Sequence, residues 1–181
     1  MPVSEATFRE VALEDPEGHW ELVCGQLRSK PGMTADHNHV THRLAYHLMR
    51  QLDWDAFEVR HDSGHVRRTA ENYYIPDVFV VPSAIERTQR GTRKLEVYEE
   101  PLPLVVEVWS PSTGEYDVST KLLEYQRRGD FEIWLIHPYD RTLTAWIRQG
   151  DGSYSETLHT AGVVQPSALP GVAIELSSLF D

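Results

Sequence analysis

Between Val40 and Leu52 the apolar side chains Val40, Leu44, Leu48 and Leu52 return every fourth position, with histidine and arginine on the other faces. This period is the stripe of an amphipathic α-helix, and Thr34 or Asp36 offers an oxygen suited to capping its first turn. Elsewhere the period shortens. Residues 20–24 and 27–30 predict a hairpin turning at Gly25-Gln26 and closed by Pro31-Gly32, with Cys24 an inert small side chain in the first strand. Strands are expected at 57–61, 66–69 and 73–81, separated by turns at Ser63-Gly64 and Glu71-Asn72. Residues 104–109 form the most apolar strand and belong at the centre. A helix over 117–128 ends at Gly129, where a left-handed conformation is cheap. Strands at 131–137, 142–148 and 172–176 follow, and a short helix over 7–13 precedes Asp15-Pro16, because the residue before proline avoids helical geometry. Strands alternating with two substantial helices, and hairpins at both ends, predict a mixed α/β domain with one central sheet.

A length of 181 residues fits one domain spanning 1–181. Hydrophobic residues make up 40% of the chain, enough for a core, and charged residues 25%. Lys plus Arg number 17 against 28 Asp plus Glu, a net charge of -11. That balance excludes a non-specific polycation, so any nucleic-acid contact has to come from local basic clusters. Cys24 is the only cysteine, which excludes an intrachain disulfide and a cysteine-based zinc site. The acidic start, broken by Pro16 and Gly18, is unlike an export signal, and no apolar run approaches the roughly 20 residues that span a bilayer. A cytoplasmic protein with no membrane segment is the expectation.

Chemistry concentrates at an acid after a proline, Pro76-Asp77, at Glu107 inside the apolar segment PLVVEVW, and at Lys121 on the following helix. Two carboxylates on adjacent strands can hold a hard divalent cation through oxygen, which suits magnesium because that ion keeps several waters. Such a cation supplies a water nucleophile and neutralises phosphate charge, and a lysine adds positive charge beside it. Alternation along a strand puts Glu107 and Trp109 on one face, leaving Val108 to offer a metal only its main-chain carbonyl. Each residue also has a structural reading: Asp77 as a turn residue, Glu107 as a half-buried acid paired with arginine, Asp117 and Lys121 as a solvated i,i+4 pair. A charge within PLVVEVW is costly to bury unless paired or metal-bound, which weighs toward function for Glu107.

The segments WELVCGQL (20–27), IPDVFVVP (75–82), PLVVEVWSPST (103–113) and DVSTKLLEYQRRGDFEIWLIHP (117–138) together resemble the Uma-two family of the restriction-endonuclease-like PD-(D/E)XK nuclease superfamily. The resemblance implies a restriction-endonuclease-like core, a central mixed β-sheet flanked by helices, to which the two hairpins are added. It implies metal ligation of Mg2+ or Mn2+ by Asp77 and Glu107, with Lys121 the catalytic lysine, Glu21 an auxiliary acid and His37 at the site's edge. The superfamily pattern puts lysine two residues after the glutamate, where this chain has Trp109; the resemblance implies that the lysine has moved to the following helix, at Lys121.

His37, His39, His42 and His47 share a helix but lack the HExxH spacing and cysteine partners of a zinc site. Arg87, Arg90, Arg93 and Lys94 fall in a polar stretch, 83–100, expected to be an exposed loop that is either solvated or in contact with DNA. The functions that follow are a divalent-metal-dependent endodeoxyribonuclease using Asp77, Glu107, Lys121 and Glu21, or a non-catalytic relative that binds nucleic acid or protein. DNA is the expected substrate and a C2 homodimer the expected assembly, because cutting both strands is easiest with two sites.

Overall fold

The computed structural model describes residues 2–15 and 17–181. Helix α1 (Glu5–Glu14) starts where the Ser4 hydroxyl accepts the Thr7 N–H. It runs to the residue before Asp15; Pro16, expected to help end it, lies outside the described residues. Strands β1 (Trp20–Val23) and β2 (Gln26–Ser29) pair as the anticipated hairpin. The turn sits one residue earlier, at Cys24-Gly25, with φ of 49° and 75°, the two positive values that a tight I′ hairpin turn requires. Cys24 is therefore exposed on a turn and does not belong to the strand.

Helix α2 (Ala35–Gln51) is capped by Thr34, whose hydroxyl accepts the His37 N–H. After it come β3 (Phe57–His61), β4 (His65–Thr69), β5 (Asn72–Tyr74), β6 (Val78–Pro82), the single turn α3 (Ser83–Glu86) and β7 (Val97–Tyr98). Then β8 (Leu104–Val108) leads through α4 (Gly114–Tyr116), a π-helical turn (Asp117–Lys121) and α5 (Leu122–Arg128) to β9 (Glu132–His137). Finally β10 (Thr142–Arg148), β11 (Tyr154–His159), β12 (Val163–Val164), β13 (Ile174–Glu175) and a 3-10 turn (Leu176–Leu179) complete the chain.

The central sheet has six strands in the order β11-β10-β9-β8-β6-β3. Only β8 and β9 run parallel in it, joined across one face by α4, the π turn and α5. Because β6 and β8 are covered on both faces, β6 reads as an unbroken apolar run and β8 as one interrupted only by Glu107. Val78, Val80, Leu104, Val106 and Val108 pack with Val40, Leu44 and Leu48 of α2, whereas Phe79, Val81 and Val105 pack with Tyr125 of α5 on the other side. Glu107, between Val106 and Val108, therefore points to the α5 face.

Two features depart from the single-sheet expectation: β12 and β13 pair as a separate two-stranded ribbon, and a larger addition is built on the first hairpin. The amino-terminal hairpin is extended into a second, five-stranded sheet, β2-β1-β5-β4-β7. Residues 73–81 are accordingly two strands: β5 lies in the small sheet and β6 in the central one, and the chain crosses between them at Ile75-Pro76-Asp77. The polar stretch after α3 is also less free than its composition suggests. Leu95, Val97 and Tyr98 are buried, and Arg60 joins Glu86 and Glu96 at 2.6 and 2.8 Å.

Candidate active site

Glu21 on β1, Asp77 at the crossing between sheets, Glu107 on β8, and Asp117 and Lys121 on the π turn converge in one buried cluster, each no more than 4% exposed. The four residues singled out by sequence, Asp77, Glu107, Lys121 and Glu21, are thus brought together. Lys121 Nζ is its hub, 3.1 Å from Glu21 Oε1, 3.2 Å from Glu107 Oε1 and 3.5 Å from Asp117 Oδ1. A solvated Asp117–Lys121 helix pair is excluded by this burial. The π turn, a widening often found at functional sites, contains both residues.

Asp77 is held from three sides. Lys30 Nζ lies 2.7 Å from Oδ1, the Val108 N–H donates to Oδ2 at 2.7 Å, and His37 Nε2 stands 3.0 Å from Oδ2. The His37 approach is close but not aligned as a hydrogen bond. Glu21 Oε1 accepts the Ile75 N–H at 2.9 Å, so it fixes the crossing just before Pro76-Asp77 as well as meeting Lys121. The Tyr125 hydroxyl donates to Glu107 Oε1.

The charges are crowded. Burial, with the neighbouring Asp77 and Asp117 charges, pushes the Glu107 carboxyl well above the usual carboxylate range against the pull of Lys121. Burial likewise raises Asp117 despite Lys121. Burial also opposes ionisation of Asp77, but the Lys30 charge, His37 and Lys121 override it and hold that carboxyl low. Burial disfavours the Lys121 ammonium, yet Glu107, Glu21 and Asp117 keep it charged far up the pH scale. Lys30 follows the same logic with Asp77 and Asp62.

A small cavity of about 10 Å3, room for roughly one water, is bounded by Glu21, Asp77, Glu107, Asp117, Lys30 and Lys121. Asp117 Oδ1 is buried there without a hydrogen-bond partner. Among the described residues no three acid, histidine or cysteine side chains converge as a preassembled cage, because the lysines stand between the carboxylates. A magnesium-type ion needs only one or two carboxylates and keeps its waters. An oxygen-only donor set with four carboxylates against two lysines, a raised Glu107 and an orphaned Asp117 oxygen suits such an ion, since binding it would release a proton and relieve the repulsion.

Two participants escaped the sequence reading. Lys30 has no sequence signal beyond its place beside Pro31-Gly32, and Tyr125, inside the helix expected over 117–128, is indistinguishable in sequence from a core aromatic. His37, expected at the edge, is fully buried against Asp77. Trp109, where the superfamily lysine would stand, stacks on His137 with ring centres 4.4 Å apart. Arg87 and Arg90 pair with Asp55, Glu58 and Glu86 near the Pro82 end of β6, opposite Asp77. Among the described residues no helix is long and apolar enough to cross a membrane.

No curated protein matches the sequence. The fold is similar to that of a crystal structure described as "a putative nuclease belonging to DUF820" from Anabaena variabilis. The TM-score is 0.76 over 99% of this chain and 98% of the other, at 17% identity. The sequence itself matches, over residues 6–177, the Uma2 family, described as "Putative restriction endonuclease". The match takes in every residue of the buried cluster, and the chain belongs to the Uma2 family.

Proposed function

We propose that this protein is a divalent-metal-dependent endonuclease that hydrolyses phosphodiester bonds in DNA, acting as one domain. The observation that carries the reading is the convergence of Asp77, Glu107, Lys121 and Glu21 on one water-sized cavity. Asp77, Glu107 and the Val108 carbonyl would hold Mg2+ or Mn2+. When bound, such an ion lowers the pKa of a coordinated water and offsets charge on the phosphoryl group.

The chain's own groups prepare for that chemistry. Tyr125 anchors Glu107 Oε1 and thereby fixes the carboxylate's orientation. Lys121 keeps its proton at Nζ and presents a fixed positive charge to a phosphoryl oxygen, with no reorganisation needed during reaction. Glu21 holds both Lys121 and the Ile75 N–H, and so positions ammonium and Asp77 together. A C2 dimer would supply a second site for the opposite strand.

A non-catalytic reading draws on the pairing of the cluster's carboxylates with its lysines, which lets it stand as a purely structural network. Plasmid and single-stranded DNA incubated in low salt with Mn2+ or Mg2+ separate the two. Cleavage by wild type, absent with chelator and in Asp77→Asn and Glu107→Gln, is expected. Inactivity across DNA and RNA substrates despite measured metal binding would favour the non-catalytic reading.

A further inference from the structure

Two spaces meet at one short segment. The inner one is the cavity among the carboxylates; the outer one is an open cleft of about 440 Å3 lined by Glu17, His19, Asn38, His42 and Asp62. Lys30, Pro31 and Met33 line both, so this segment is the wall between them. Lys30 is the charged residue, among those described, that reaches both spaces.

Its contacts give that position a role. Asp77 Oδ2 accepts the Val108 N–H at 2.7 Å and is closely approached by His37 Nε2 at 3.0 Å. Oδ1 is then the oxygen through which Asp77 can bind a cation, and the Lys30 ammonium already sits on it at 2.7 Å. The same ammonium is 2.9 Å from Asp62 Oδ1, whose side chain is 38% exposed and faces the outer cleft. The main-chain N–H of Lys30 donates to the His19 carbonyl, which fixes the backbone at the base of a long side-chain stem with several rotatable bonds.

We propose that Lys30 is a tethered cation standing on Asp77 in place of a divalent ion, and that it moves past Asp62 into the outer cleft when Asp77 takes up a metal, there to meet the phosphates of the substrate. This rests on the reading of Asp77 as a metal ligand. Two positive charges cannot share one carboxylate oxygen without strong repulsion, so occupancy of Asp77 and release of Lys30 are coupled. By reciprocity, an anion that holds Lys30 in the cleft tightens metal binding.

The sequence has three lysines, Lys30, Lys94 and Lys121, so amine acylation followed by mass spectrometry reads each separately. In wild type, saturating Mn2+ should raise Lys30 labelling several-fold, leave exposed Lys94 unchanged and leave Lys121 protected. Calorimetric titration with Mn2+ should show at least ten-fold tighter binding in Lys30→Gln, whereas Lys30→Arg, which keeps the charge, should not gain. Metal binding by wild type with Lys30 still protected, or a folded Lys30→Gln that binds no more tightly, overturns the proposal alone. If neither wild type nor Lys30→Gln binds Mn2+, the metal-site reading falls and takes this one with it. Binding by Lys30→Gln only would show a lysine that blocks Asp77 and is not released, which also overturns the proposal. Should the variant not fold, the labelling of wild type decides.

Discussion

Lys121 Nζ and Glu21 Oε1 lie 3.1 Å apart although one residue belongs to the crossover on the central sheet and the other to the first strand of the small sheet. This ion pair ties the two sheets where the cluster is built. Removing the ammonium strands Glu21, Glu107 and Asp117 in a buried space, and breaking such a pair costs about 3–5 kcal/mol. Lys121→Ala should lower the unfolding free energy by that order, with part recovered on adding Mn2+. Its cleavage rate under single-turnover conditions should fall by ~10²-fold or more. Cleavage at the wild-type rate would remove Lys121 from the chemistry.

Asp77 and Glu107 should separate in their effect on the metal-free protein. Asp77→Asn removes the carboxylate that the Lys30 ammonium meets at 2.7 Å, for a loss of about 3 kcal/mol. Burial and the neighbouring Asp77 and Asp117 charges raise the Glu107 carboxyl, so Glu107→Gln should destabilise the metal-free protein less than Asp77→Asn does. Both variants should lose the stabilisation that Mn2+ gives wild type. Thermal melts with and without Mn2+ test this, and equal metal-free destabilisation would contradict the charge assignment.

The pH dependence of stability has opposing histidine contributions. His65 is 6% exposed, packed against Phe8 and Tyr73, with Nε2 on the Trp20 carbonyl and Nδ1 buried without a partner. Burial lowers its pKa against the opposing pull of its hydrogen bond to Trp20. The unfolded chain then binds the proton more readily, so this stability is full above the ordinary value near 6.5 and is lost as pH falls below it. His37, raised by the adjacent Asp77 against its burial, behaves oppositely: its contribution is complete below about 6.5 and is lost as pH rises through the folded value. Urea titrations at pH 7.5 and 5.5 should show a shallower acid loss in His65→Gln and a steeper one in His37→Gln.

Arg87 and Arg90 are paired with Asp55, Glu58 and Glu86 at the end of β6 opposite Asp77. Charge reversal of both should leave the slope of log affinity for DNA against log salt unchanged, because residues away from the phosphates release no counterions. Fluorescence anisotropy across a salt series checks it; a flattened slope would place this loop on the DNA.

The elements read most easily from sequence are those with one wet face. The fourfold spacing of Val40, Leu44, Leu48 and Leu52 predicts α2, and the strands Phe57–His61 and Thr142–Arg148 fall where expected. The apolar run 73–81 could not reveal that Pro76-Asp77 divides it between two sheets, since both halves are buried. β11 passes unnoticed for the opposite reason: as a mostly exposed edge it carries no alternation. Asp77, Glu107, Lys121 and Glu21 stand out because family-like motifs surround them. Lys30 has no such context, and its importance comes from a contact with a residue 47 positions away.

The division of 73–81 at Ile75-Pro76-Asp77 also bears on when the protein becomes competent. No single sheet contains the cluster. Asp77 needs Val108 from β8 and Lys30 from the end of the small sheet's hairpin, while Glu21 waits for Lys121. A growing chain therefore has no assembled centre until synthesis has passed Lys121 and the two sheets have docked.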